Sequence, residues 1–202
     1  MYLVSGSSLF YGWFKKNMDS IKGTVEIYDL DEYNYPKFRG QLIGLYLHAF
    51  TTGDYSQHID RETVEVTLDD MLQDGSGCMA FVGNRLVGLL AAFPLKRDPD
   101  FPADTCRDIP VGEAIYIAEI MVHADYRGRR IASKMLNTYL QEKSKNYSYA
   151  VIRVWEKNIP ALELYKKLGF LPVTVISQRK LSANKEEFVM NKLYLAVKII
   201  DN

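Results

Sequence analysis

The segment YRGRRIA, Tyr126 to Ala132, joins an apolar run, AIYIAEIMV (Ala114 to Val122), to SKMLNTYLQEK (Ser133 to Lys143). In the latter, Met135, Leu136, Tyr139 and Leu140 recur at helical spacing. A glycine-bearing, arginine-rich turn that opens a helix is equipped to hold an anion. The first N–H groups of a helix have no intrahelical partner, and the helix dipole places partial positive charge there. Arg127, Arg129 and Arg130 add guanidinium forks that suit phosphate oxygens. The chemistry to expect is the grip of a pyrophosphate. The plainer reading of the same residues is a solvated basic helix start.

Two other phosphate devices are missing from the sequence: there is no G-x-x-x-x-G-K-S/T and no G-x-G-x-x-G. A second segment that could carry chemistry is NIPALELYKKLGF, Asn158 to Phe170, in which Ala161, Leu164, Tyr165 and Leu168 share one helical face. Taken alone, Tyr165 reads as a core tyrosine with its hydroxyl satisfied. The two cysteines, Cys78 and Cys106, show neither metal spacing nor a neighbouring histidine. Cys78 opens an apolar run and reads as core, which makes a covalent route through a thiol the minor alternative.

The elements that must position these residues follow from periodicity. Thr24 to Leu30 predicts a strand. Tyr35 to Phe50 predicts a helix with Leu42, Leu45, Tyr46 and Ala49 on one face, and Glu62 to Gln73 a second helix weakened by Val64, Val66 and Thr67. Cys78 to Val82 and Leu86 to Leu95 flank Gly83-Asn84 as a hairpin. Lys96 to Gly112, with Pro99, Pro102, Pro110 and several aspartates, predicts a loop exposed to solvent; its acidity offers attraction for a cationic amine as the alternative. Ala114 to Val122 is the fourth strand and Tyr147 to Trp155 the fifth, with Ile159 to Leu168 a short helix stopped by Gly169. Phe170 to Gln178 and Phe188 to Val197 close the chain as a strand pair. Helices interspersed in a mostly antiparallel twisted sheet make the class mixed α/β, of α+β character.

Composition narrows the partners. The chain has 202 residues, with Lys plus Arg and Asp plus Glu equal at 25 each. Zero net charge argues against nucleic acid, which needs a dominant positive field. A local basic cluster on a neutral protein suits a small anionic ligand. The apolar stretch Leu86 to Phe93 is too short to span a bilayer. Residues 1–22 begin MYLVSGSSLFYGWF, with no charged side chain before Lys15. A signal peptide places its positive residues first, so this stretch is expected to be an extra element packed on a single domain of residues 23–202, or a partner contact, with a membrane-surface anchor as the minor alternative. A cytoplasmic setting is the expectation. For assembly, a homodimer is the commonest state of soluble proteins.

Together the two chemical segments resemble the GNAT superfamily of acyl-CoA-dependent N-acetyltransferases. The resemblance is carried by R-G-x-x-I-A opening a helix, then a strand, then N-x-x-A-x-x-x-Y-x-x-x-G-F. It is strong over Ala114 to Phe170, only architectural over Thr24 to Leu95 and Val173 to Val197, and does not reach the first 22 residues. The family's Q/R-x-x-G-x-G/A turn falls on Arg127, Gly128, Arg129, Arg130, Ile131 and Ala132, with Arg130 where the central glycine is expected.

The resemblance implies a fold whose fourth strand, at Ile120, Met121 and Val122, splays from the fifth, so that pantetheine amides pair with the freed backbone. It implies acetyl-CoA as co-substrate and no metal. Its pyrophosphate would rest on the backbone N–H groups of Arg129 to Ala132, with Arg127, Gly128 and Ser133 in the same cradle and Asn158 and Ala161 toward the pantetheine arm. It implies direct attack by a primary amine, small molecule or peptide, with an N–H near Val122 steadying the oxyanion and Tyr165 as general acid. Glu119 is the residue best placed to take the amine's proton. Its other reading is a strand residue that binds the substrate's cation or joins a structural ion pair. His123 reads as a surface loop residue, and Tyr116 and Glu113 are weaker bases. Tyr46, His48, Phe50, Tyr55 and His58 either line the acceptor pocket or belong to the core. A non-catalytic acyl-CoA-binding module on the same fold is the alternative function.

Overall fold

The computed structural model describes residues 23–52, 56–143, 145–182 and 184–199. The expected N-terminal extension and Tyr55 lie outside them. Among the described residues the helices are α1 (Tyr35–Thr51), α2 (Arg61–Leu72), α3 (Ile131–Lys143) and α4 (Ile159–Lys167). The strands are β1 (Val25–Leu30), β2 (Ser76–Val82), β3 (Arg85–Pro94), β4 (Ala114–Val122), β5 (Tyr149–Trp155), β6 (Leu171–Leu181) and β7 (Glu187–Lys198).

Local chemistry explains the helix starts. Asp31 Oδ1 accepts the N–H groups of Tyr33 and Asn34 ahead of α1. Asp60 Oδ1 accepts Thr63 N–H at 2.7 Å and caps α2. The β-branched residues of α2 are outweighed by tertiary burial: Val64 and Leu68 are fully buried against α1 and the sheet.

The sheet runs β1-β2-β3-β4-β5-β7-β6. Every neighbouring pair is antiparallel except β4 and β5, which are parallel. This is the mixed, mostly antiparallel sheet expected from the sequence. One face packs beneath α3 and α4, with Ile115, Ile117, Ile152 and Val154 against Met135, Leu136 and Tyr165. The other packs beneath α1 and α2 over β1 to β4 and beneath the 95–113 segment at Tyr116, Val151 and Tyr194.

Two irregularities shape β4. Its pairing with β5 runs from Ala114↔Tyr149 to Ile117↔Ile152 and stops, although both strands continue. Against β3, Ile117 faces Ala92 but Glu119 faces Ala91, so Ala118 is an extra residue in the ladder. Strict alternation would send Glu119 to the same face as Ile115 and Ile117. The bulge reverses this, turning Glu119 and Met121 toward the α1 face, where Met121 packs with Leu89 and Ala91.

The 95–113 segment differs from the expected solvated loop. It opens and closes with single 3₁₀ turns and buries Leu95, Phe101, Cys106 and Ile109. Asp98 is itself buried, accepting the Tyr194 hydroxyl at 2.6 Å. Apolar anchors spaced through a charged stretch hide from a periodicity test, because no helix or strand period links them.

The turn into α3 uses two left-handed residues, Gly128 at φ 75° and Arg130 at φ 61°. The second explains why a glycine suits this position: a Cβ there crowds the following carbonyl and costs roughly 1 kcal/mol or more. Replacing Arg130 by glycine is therefore expected to stabilise the fold by up to about 1 kcal/mol, a rise of roughly 2–4 °C in Tm. Thermal unfolding of R130G measures it, and a lower Tm would show that the arginine side chain contributes more than its backbone costs.

Candidate active site

Beyond Ile117 and Ile152 the two parallel strands part, leaving Ala118 to Val122 and Arg153 to Trp155 without each other. Peptide groups that point into this gap have no strand partner there, and such groups demand one. The gap is thus a slot for an extended, amide-bearing ligand.

Glu119 enters from the α1 face. Its Oε1 accepts the Tyr46 hydroxyl at 2.8 Å. Tyr46 is buried and stacks on Phe50 at 4.7 Å, which fixes the phenol against the carboxylate. Burial holds the Glu119 carboxyl above the usual glutamate range; the Tyr46 hydrogen bond and the cations Lys192, Arg153 and Lys180 oppose that shift. Burial and the Glu119 charge in turn raise the Tyr46 phenol.

Tyr165 enters from the opposite face, on α4. It is 6% exposed, with its ring against Phe170 at 5.9 Å. Its hydroxyl makes no hydrogen bond to another described residue. Burial first, then the Glu119 charge, pushes its ionisation up, so it holds its proton at neutral pH. Tyr165 belongs to the cluster beneath α3 and α4 and Glu119 meets Tyr46 on the α1 side, so the two groups approach from opposite faces of the sheet. One can accept a proton and the other can donate one.

Asn158 caps α4, its Oδ1 accepting Ala161 N–H at 3.4 Å. The Ile131, Ala132 and Ser133 N–H groups at the start of α3 make no hydrogen bond to other described residues. The arginines of the turn divide their work. Arg129 Nη2 donates to the Gly23 carbonyl at 2.9 Å, and its guanidinium lies over Tyr126. One arm of its guanidinium thereby braces the turn against the chain ahead of β1, while Nη1 is buried with no hydrogen-bond partner among the described residues. Arg127 Nε donates to the Val122 carbonyl at 3.3 Å, whereas Arg130 is exposed.

His123 is half-buried rather than a free surface residue. It stacks on His48 at 4.1 Å, and Arg85 Nη2 lies 3.0 Å from its Nε2. Burial, together with His48 and Arg85, lowers its pKa. Tyr116 is buried in the core beside Phe93 and Tyr194, and Glu113 sits at the far end of β4. His58 is exposed, and its N–H bonds Leu181. Cys78 is buried, and burial pushes its thiol up to about 12, which disfavours a thiolate nucleophile.

Sequence reading missed a polar network on the β5–β7–β6 part of the α1 face. Arg153 Nη1 donates to Asp100 Oδ2 at 2.7 Å and to the Tyr194 hydroxyl at 2.9 Å. Gln178 Nε2 joins Asp100 at 2.7 Å. Lys192 lies on β7 opposite Trp155 of β5 and Ile176 of β6. The available signal was Arg153 alternating with Ile152 and Val154, and Lys192 beside the largely apolar run Leu193 to Val197.

The chain matches the model of the Acetyltransferase (GNAT) family over residues 47–170. Its fold is similar to the N-acetyltransferase from Staphylococcus aureus Mu50, at 15% identity and TM-score 0.65 over 88% of this chain and 100% of that one. Salmonella typhimurium yncA, solved with its cofactor acetyl-CoA, aligns at 12% identity and TM-score 0.63, covering 88% and 95%. The ribosomal-protein-S18-alanine N-acetyltransferase from Escherichia coli aligns at 13% and 0.61, covering 89% and 96%. No curated protein matches. At these identities the structural likeness is one of fold, whereas the family match spans more than half of the chain, including the parted strands, the arginine turn and Tyr165. The chain belongs to the GNAT family of acetyltransferases.

Proposed function

We propose that this chain transfers an acetyl group from acetyl-CoA to a primary amine by direct attack within a ternary complex. The observation that carries this is the gap between β4 and β5 with a proton acceptor, Glu119, on one side and a protonated phenol, Tyr165, on the other. The residues fit the co-substrate: the edge of β4 past Ile117, no longer paired with β5, suits the pantetheine amides, and the N–H groups at the start of α3, without partners among the described residues, suit the pyrophosphate. Gly128 and Arg130, both left-handed, turn the chain into that cradle. Bound there, acetyl-CoA supplies a thioester carbonyl and a thiolate leaving group.

This chain's own residues do the rest. Glu119 Oε1 and Oε2 accept the proton of the incoming ammonium, directly or through water. Backbone N–H on the free edge of β4 near Val122 steadies the developing oxyanion. Tyr165 Oη holds a proton available to the leaving sulfur. Residues 23–202 act as one catalytic domain in this reading. A buried, hydrogen-bonded thiol is a poor nucleophile, so the route needs no covalent enzyme intermediate; Cys78 Sγ is tied to the Met135 carbonyl at 3.7 Å.

Loss of the Tyr165 hydroxyl removes the acid without breaking a hydrogen bond to the described residues. Y165F is expected to bind acetyl-CoA normally, by thermal shift, and to lose about 10²-fold or more in kcat, by thiol release. Unchanged turnover would remove Tyr165 as the acid. Thermal shift without thiol release from any amine would leave a binding module.

The base works as a carboxylate, and the folded Glu119 pKa is raised. Activity therefore falls as pH drops through a value above the ordinary glutamate range, and E119Q abolishes that acid limb. Because the Tyr46 hydrogen bond lowers the Glu119 pKa, Y46F is expected to move the limb to higher pH. A limb that stays put in both variants would assign it to another group.

A further inference from the structure

On the acceptor side of the gap the carboxylates are engaged, while two of the cations are not. On the α1 face, Asp98 and Asp100 are taken up by Arg153, Tyr194 and Gln178. Glu119 holds the Tyr46 hydroxyl. Two cations remain, Lys192 on β7 and Lys180 on β6, and neither makes a hydrogen bond or ion pair with another described residue. Lys192 and Lys180 share the face of Arg153, since Lys192 pairs Trp155 and Lys180 pairs Phe188 in the ladder. Trp155 lies beyond Ile152, where β5 has already left β4, so Lys192 flanks the open end of the slot. The bridge between Gln57 and Ser182 ties the chain after α1 to the end of β6, next to Lys180.

Burial, with Lys180 and Arg153 nearby, pulls the Lys192 ammonium down to about 8, although Glu119 and Asp100 oppose this. A half-buried cation with no ion-pair partner among the described residues is costly to the fold and gains from a counter-charge. We infer that the counter-charge is a carboxylate on the acceptor, and that Lys192, seconded by Lys180, selects a compact amine bearing that carboxylate. This rests on the transfer reading above. The carboxylate is favoured over phosphate because the ligands here are ammonium point charges, and the guanidinium on this part of the sheet, Arg153, is already engaged by Asp100 and Tyr194. Glu119 receives the ammonium end and the lysines the carboxylate end, so a zwitterion spans the site with both charges matched.

The test uses the full chain. Thiol release with acetyl-CoA is measured for γ-aminobutyrate, butylamine and putrescine, for glutamate against glutamine, and for a short peptide as the macromolecular arm. Expected is a preference of about tenfold or more in kcat/KM for a carboxylate-bearing amine over its uncharged match. K192M is expected to raise KM for that acceptor by about tenfold or more, to leave butylamine nearly unchanged, and to melt no lower than the parent; K192R restores most of the preference. Calorimetric titration of γ-aminobutyrate and butylamine into the CoA-saturated protein reads the same selectivity without turnover. Carboxylate-selective binding that K192M abolishes, with no thiol release, sinks the transfer reading but keeps this one. Acetylation of butylamine as efficient as that of every carboxylate-bearing amine, or K192M lowering kcat equally for all acceptors, overturns it. A preference for the peptide that K192M leaves intact also overturns it.

Discussion

The parting of β4 from β5 is the constraint on which the site depends. Parallel strands gain a hydrogen bond at every step of their ladder, and both strands remain extended past Ile117 and Ile152. Ending the ladder there exposes peptide groups inside a folded protein, a costly arrangement unless a ligand pairs with them. The other elements serve that opening. The crossover from β4 to β5 contains α3, which brings its unpartnered N–H groups to the same end, and α4 after β5 brings Tyr165 to the α3 face.

The bulge at Ala118 is the second half of the same device. It lies one residue past the last β4–β5 pair and changes which face each later side chain of β4 meets. Glu119 is thereby removed from a wholly apolar core and placed against Tyr46, while Ile120 and Val122 pack against the other cluster. One inserted residue thus sends Glu119 to the face opposite Tyr165. The arrangement burdens stability, since Glu119 and Lys192 are both shifted away from their charged forms by burial. Groups so placed are characteristic of sites shaped for binding and catalysis.

Much of the fold was legible because strong periodicities coincide with clear punctuation. Gly83-Asn84 marked the β2–β3 turn, Gly169 stopped α4, and the apolar run of β4 read as a strand. Arg130 stood out against the family pattern, and its left-handed backbone shows why the pattern prefers glycine. The 95–113 segment misled, because Phe101, Cys106 and Ile109 are buried by shape rather than by any repeating interval. Arg129 shows what residue type leaves open: it suits an anion, yet one arm of its guanidinium bonds the Gly23 carbonyl and the group lies over the Tyr126 ring.

The sequence by itself determined the order of elements, the turn that opens α3 and the presence of a tyrosine in the right segment, because each is a local property of a few adjacent residues. Only the tertiary structure decided which way Glu119 faces, that Tyr46 holds it, and that Lys192 and Lys180 have no hydrogen bond or ion pair among the described residues. Those outcomes depend on strand register, where one extra residue reverses every subsequent side chain, and on which charges from distant strands have already neutralised each other. Neither quantity is written in any local stretch of the chain.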